Sequence, residues 1–187
     1  MQRTFIAVKV KPENEMMECI LELRNVLKAE KIKWVDPQNL HITLRFLGDT
    51  NPQQADQTKK LLEEVAGSSK PPEVVFKGLG IFRNIRDPRV LWIGMDPGRI
   101  LPKLKTGVDR GLAKIGFLPE AREFRPHLTL ARLKNIRDTE LLQEQLMKYR
   151  DTVYQIVQIN ELTYYESILR PEGPSYLPLT KVSFNNF

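Results

Sequence analysis

The stretch "NLHITLRFLG" occupies residues 39–48, and "RPHLTLARLK" occupies residues 125–134. Both contain His-x-Thr-Leu, and His41 and His127 are the only two histidines among 187 residues. In an extended chain successive side chains point to opposite faces. The first stretch then sets His41, Thr43 and Arg45 on one face and Leu40, Ile42, Leu44 and Phe46 on the other. The second sets Arg125, His127, Thr129 and Ala131 against Leu128 and Leu130. Each reads as a strand whose apolar face packs and whose polar face is left for chemistry.

Outward from the two stretches, strand-like and helix-like segments alternate without a low-complexity linker. "RTFIAVKV" (3–10) reads as a strand. Pro12 opens a helix carrying Met16, Ile20, Leu23 and Leu27 at helical spacing. Gly48 is expected to stop the first motif strand, and Pro52 to start a helix over 52–66. "EVVFKGLGIF" (73–82) and "RVLWIGM" (89–95) read as strands joined by a turn-rich connection. Leu101, Leu104, Val108, Leu112 and Ile115 mark a third helix that ends at Gly116. The second motif strand (125–133) is followed by a helix over 138–149. "INELTYYES" (159–167) and "YLPLTKVSF" (176–184) close the chain around the turn "RPEGPS" (170–175). Both halves share the order helix, His-x-Thr-Leu strand, helix. This weak internal repeat predicts an α+β fold: one domain over residues 1–187, made of two similar lobes that face each other with one histidine strand each.

The polar faces point to chemistry. An imidazole and a hydroxyl two residues apart on a strand are about 6.6–6.8 Å apart, so both can touch one small group lying over the strand. Two such strands across a cleft surround that group with two imidazoles and two hydroxyls. Cleaving a phosphodiester needs a base for the attacking oxygen and an acid for the leaving oxygen, and imidazole titrates in the right range for both. Thr43 and Thr129 are placed to donate to the non-bridging oxygens. Arg45 and Arg125 are candidate substrate-binding residues on the same faces.

Other chemistries lack their residues. The histidines are far apart in sequence and no Asp cluster accompanies them, so no metal or other cofactor is expected. The chain has no phosphate-binding Gly-rich loop and no Gly-x-Ser-x-Gly elbow. Net charge is +6, from 29 basic and 23 acidic residues, a balance that favours a polyanionic partner. No apolar run approaches the ~18 residues that cross a bilayer. The N-terminus does not read as a signal peptide. A single cysteine, Cys19, fits a reducing compartment, so the expected location is the cytoplasm, without membrane association.

On these residues the chain resembles the 2H phosphoesterases, defined by two His-x-Ser/Thr-x motifs. Within them it resembles the bacterial and archaeal RNA 2′,3′-cyclic phosphodiesterases, historically called 2′-5′ RNA ligases. "RTFIAV" is similar to the opening strand of that family, "KWVDPQNLHITLRFLG" to its first motif with flanks, and "FRPHLTLARLK" to its second. "GLGIF", "PRVLWIGM" and "ESILRPEGPSYLPL" resemble its linking hairpin and closing strands. The resemblance implies two pseudo-symmetric lobes, each a mainly antiparallel sheet with outer helices, enclosing a central cleft. It implies metal-independent hydrolysis of RNA 2′,3′-cyclic phosphate ends, or of nucleotides bearing them, to 2′-phosphomonoesters. His41 would be the proton donor, His127 the proton acceptor, and Thr43 and Thr129 phosphate contacts. No obligatory protein partner is expected, and the chain would act as a monomer. The alternatives are a nucleotide-binding module of the same superfamily, and 2′-5′ RNA ligation as the physiological direction.

Overall fold

The computed structural model describes residues 1–121, 123–170 and 173–185. Strands β1 (Gln2–Lys9), β2 (Lys31–Trp34), β3 (His41–Thr50), β4 (Glu73–Phe82), β5 (Val90–Asp96), β6 (Leu128–Asn135), β7 (Val153–Gln158), β8 (Glu161–Arg170) and β9 (Gly173–Ser183) form one antiparallel sheet. Helices α1 (Asn14–Val26), α2 (Pro52–Gly67), α3 (Ile100–Lys114) and α4 (Thr139–Lys148), with a short 3-10 turn over Pro37–Asn39, are the helical elements among the described residues. Strand β2 and strand β7 are additions to the elements expected from sequence. β2 has only four residues, and its apolar members, Ile32 and Trp34, are too few to show a period.

The strand order is β7-β4-β5-β6-β3-β1-β8-β9, with β2 paired to β6 off this path. Each motif strand is therefore innermost in its own half of the sheet. The halves meet at β3 and β6, where a single residue pair, Ile42 with Leu128, holds the register. Both side chains are fully buried. Truncating either to alanine costs about 2–5 kcal/mol by transfer and cavity terms.

The helices cover the face that Ile42 and Leu128 point to. Met16, Cys19, Ile20 and Leu23 of α1, Leu61 and Leu62 of α2, and Leu101, Leu104, Val108 and Leu112 of α3 join the strands in one core. Helix starts are built locally. Asn51 and Gln54 form a reciprocal capping box ahead of α2, with Pro52 in its first turn. The Asp138 side chain accepts from the Leu141 N–H at 2.9 Å to start α4.

Gly48 does not stop β3. It sits at φ +72° inside the strand, where two residues face one on β1, and β3 continues to Thr50. The closing strands form the hairpin expected around "RPEGPS", although residues 171 and 172 of that turn lie outside the described residues. The face opposite the helices carries a small separate cluster of Phe5, Ala7 and Tyr165, with Tyr176 packed on it. This second face holds the site.

Candidate active site

His41 and Thr43 flank Ile42, and His127 and Thr129 flank Leu128. Because Ile42 pairs with Leu128 in an antiparallel register, His41 stands across from Thr129, and Thr43 across from His127. Ile42 and Leu128 face the helices, so the four polar side chains share the opposite face. All four are half-buried. The result is a quasi-twofold square of two imidazoles and two hydroxyls centred on the joint between the halves.

The two rings are held in the same way. His41 Nδ1 lies 2.7 Å from the Asn39 carbonyl oxygen, and His127 Nδ1 lies 2.7 Å from the Arg125 carbonyl oxygen. A carbonyl only accepts, so each Nδ1 donates its proton and each Nε2 is the nitrogen left for chemistry. Aromatic rings fix the planes. Phe82 meets His127 edge-on at 4.6 Å, and Tyr176 meets His41 edge-on at 5.1 Å with Phe5 at 5.3 Å. Burial, together with the nearby His127, pulls the His41 proton affinity below its ordinary value, and the Asn39 hydrogen bond only partly offsets this.

The face expected for Arg45 is corrected by the structure. Between the Ala7–Thr43 and Ile6–Arg45 pairs, β3 has one residue more than β1, a bulge at Leu44–Arg45. Alternation slips by one there, so Arg45 points to the helix side and is buried. Its guanidinium pairs with Glu120 at 3.2 Å and Asp109 at 3.9 Å, and donates to the Leu118 carbonyl. Arg45 does not reach the histidine face. Phe46, expected on the core face, is 66% exposed and lies 6.0 Å from the Phe5 ring. The same slip recurs in the second motif, at Leu130–Ala131 opposite Leu91, and both of those residues are buried.

After its bulge each strand thus presents a new residue beside the threonine: Phe46 in one half and Arg132 in the other. The sequence reading missed both. Arg132 is exposed and close enough to Tyr176, in the opposite half, to moderate its phenol. Burial still holds that phenol above its ordinary range. Arg125 lies before β6, where its exposed side chain pairs with Glu123 at 3.1 Å and its carbonyl orients His127. Beside His41 a cavity of about 110 Å³ is lined by Lys9, Asn39, Tyr165, Tyr176 and Lys181 among others, which adds positive charge to one side of the square.

A single phosphodiester fits this arrangement. The two imidazoles come from opposite strands, each across from a hydroxyl of the other motif, with the rings of Phe5, Tyr176 and Phe82 packed beside them. Among the described residues no three His, Cys, Asp or Glu side chains converge to hold a metal ion.

The model of the family described as LigT like phosphoesterase matches the chain twice, over residues 10–92 and 93–176. The chain belongs to the LigT-like phosphoesterases. The two matches divide it between the two motifs, as the internal repeat does. Among curated relatives, the RNA 2′,3′-cyclic phosphodiesterase of Aquifex aeolicus is 40% identical over 77% of this chain and 77% of its own. The protein of the same name from Archaeoglobus fulgidus is 35% identical over 95% of this chain and 97% of its own. A crystal structure of a Thermus thermophilus protein superimposes with a TM-score of 0.80 at 24% identity, covering 97% of both chains. The family's two-lobed α+β fold is therefore that of this chain. No described helix is long and apolar enough to cross a membrane.

Proposed function

We propose that this LigT-like phosphoesterase hydrolyses RNA 2′,3′-cyclic phosphate ends to 2′-phosphomonoesters, with His41 as proton donor and His127 as proton acceptor. The observation that carries the reading is the square itself: two imidazoles with matched Nδ1 anchors, each across from the other motif's threonine. The cyclic phosphate lies over the square with its non-bridging oxygens toward the Thr43 and Thr129 hydroxyls.

His127 Nε2 takes a proton from water as the oxygen attacks phosphorus. His41 Nε2 gives a proton to the departing ribose 3′ oxygen, which opens the ring and leaves phosphate on the 2′ position. Charge that develops on the non-bridging oxygens is met by the two hydroxyls and by Arg132. Free His41 is biased toward its neutral form. The bound phosphodiester carries the opposite bias, because its negative charge favours imidazolium. The donor is thus charged mainly when substrate is present. Arg125, exposed two residues before His127 and paired with Glu123, brings its positive charge to the edge of the site where a phosphate displaces that carboxylate.

Incubating the protein with a 2′,3′-cyclic nucleotide and reading the product by phosphorus NMR tests this. The expected product is the 2′-monophosphate. A 3′-monophosphate would reverse which ribose oxygen leaves, and an unchanged substrate that binds tightly would make the protein a nucleotide-binding module.

A further inference from the structure

Beyond Arg132, β6 does not end the positive face. Alternation from buried Leu133 puts Lys134 on the histidine side, and Lys31 and Lys33 of β2 share it, because Ile32 and Trp34 pack into the core. Lys33 is in register with Arg132. All three ammonium groups are exposed, and none has an ion pair with a described carboxylate. From Thr129 to Lys134 the strand rises roughly 16 Å. A line of like charges is therefore laid out from the reacting phosphate outward, where folding alone would favour dispersing them.

We propose that Lys31, Lys33 and Lys134 form a track that holds the backbone phosphates of the RNA strand on the 5′ side of the cyclic end. The proposal rests on the hydrolase reading above. Three features select single-stranded RNA. The track is continuous with the site through β6. Its charge is complementary to phosphate. And a 2′,3′-cyclic phosphate closes the 3′ end of a strand, so all further nucleotides leave the site in one direction. Gly173, at the start of β9, stands against the Lys33 ammonium and bounds the track on the side of the β8–β9 hairpin. The far end meets a cavity of about 520 Å³ at the start of α4, lined by Glu30, Asp138 and Glu140 together with Arg137. With three carboxylates against one guanidinium the lining is net acidic there, so the track serves only the first few nucleotides.

The test is kcat/KM for a 2′,3′-cyclic mononucleotide and for oligoribonucleotides of two, four and eight residues with cyclic-phosphate ends, for the wild type and K31Q/K33Q/K134Q. The wild type is expected to gain with length and then level off by four residues. The triple variant should turn over the mononucleotide normally and lose the gain. Three lost phosphate contacts, at a slope near −0.7 per contact, reduce the salt dependence between 50 and 200 mM by roughly twentyfold. An unchanged length dependence in the variant, or none in the wild type, would overturn the track. Anisotropy of a fluorescent octanucleotide with a 2′-phosphate end separates the two readings. Lysine-dependent binding without turnover would keep the track and overturn the hydrolase, whereas turnover indifferent to the lysines would do the reverse.

Discussion

Arg45 and Glu120 form an ion pair of 3.2 Å on the side of the sheet away from the histidines. Lys105 of α3 joins Glu120 at 3.2 Å and also pairs with Asp109, and it lies 5.5 Å from the Phe124 ring. Through these contacts a residue of the first motif anchors the segment that delivers His127. Arg45→Met should lower stability by about 2 kcal/mol, the scale of a buried charged hydrogen bond lost with its partners left behind. It should lower kcat for a cyclic mononucleotide more than it raises KM, and Arg45→Lys should recover part of the loss. Thermal denaturation and steady-state kinetics check this. A raised KM with normal kcat would return Arg45 to substrate binding.

Arg132, not Arg45, is the motif-strand arginine on the reacting face. Arg132→Ala should therefore impair a cyclic mononucleotide and an oligonucleotide to the same degree, by about tenfold or more in kcat/KM for one lost charged contact. A loss seen only with oligonucleotides would move Arg132 from the scissile phosphate to the lysine track.

How much of this was legible in the sequence depended on where alternation held. His41, Thr43, His127 and Thr129 lie before the bulges, so period two placed them on one face. Arg45 and Phe46 lie after one, and "LRF" carries no mark of the slip because a buried Arg and an exposed Phe reverse the usual pattern. The second motif did carry a mark. In "LARLK" the apolar residues at 130, 131 and 133 break strict alternation, which places Arg132 outward. The joining of the halves through one Ile42–Leu128 pair was invisible, since pairing between distant strands leaves no local signal.

The threonines should act on the transition state. Thr43→Ala and Thr129→Ala are each expected to lower kcat about 10²–10³-fold with little change in the affinity of inorganic phosphate. Kinetics and calorimetry check this pair of values. Weakened phosphate binding with normal kcat would make the hydroxyls ground-state contacts.

With only two histidines, ring titrations can be followed by NMR without ambiguity. Burial places His41 below the ordinary imidazole value, so in the free protein it is neutral at pH 7 and gains its proton only as pH falls. The unfolded chain binds that proton first. His41 therefore contributes stability that is present above the unfolded value near 6.5 and is lost as pH falls through the lower folded value. Inorganic phosphate should raise the His41 midpoint. A midpoint above 6.5 in the free protein, or one unmoved by phosphate, would contradict the environment described here.

In the mechanism proposed, His41 and His127 complete one proton circuit. Its most direct test is kcat/KM for one cyclic mononucleotide, measured side by side for wild type, H41A, H127A and H41A/H127A, all confirmed as folded. Each single variant is expected to lose about 10²–10⁴-fold, and the double variant to fall close to the weaker single one, because a broken circuit cannot be broken twice. Near-normal rates in either single variant, or losses that multiply in the double, would contradict the paired mechanism.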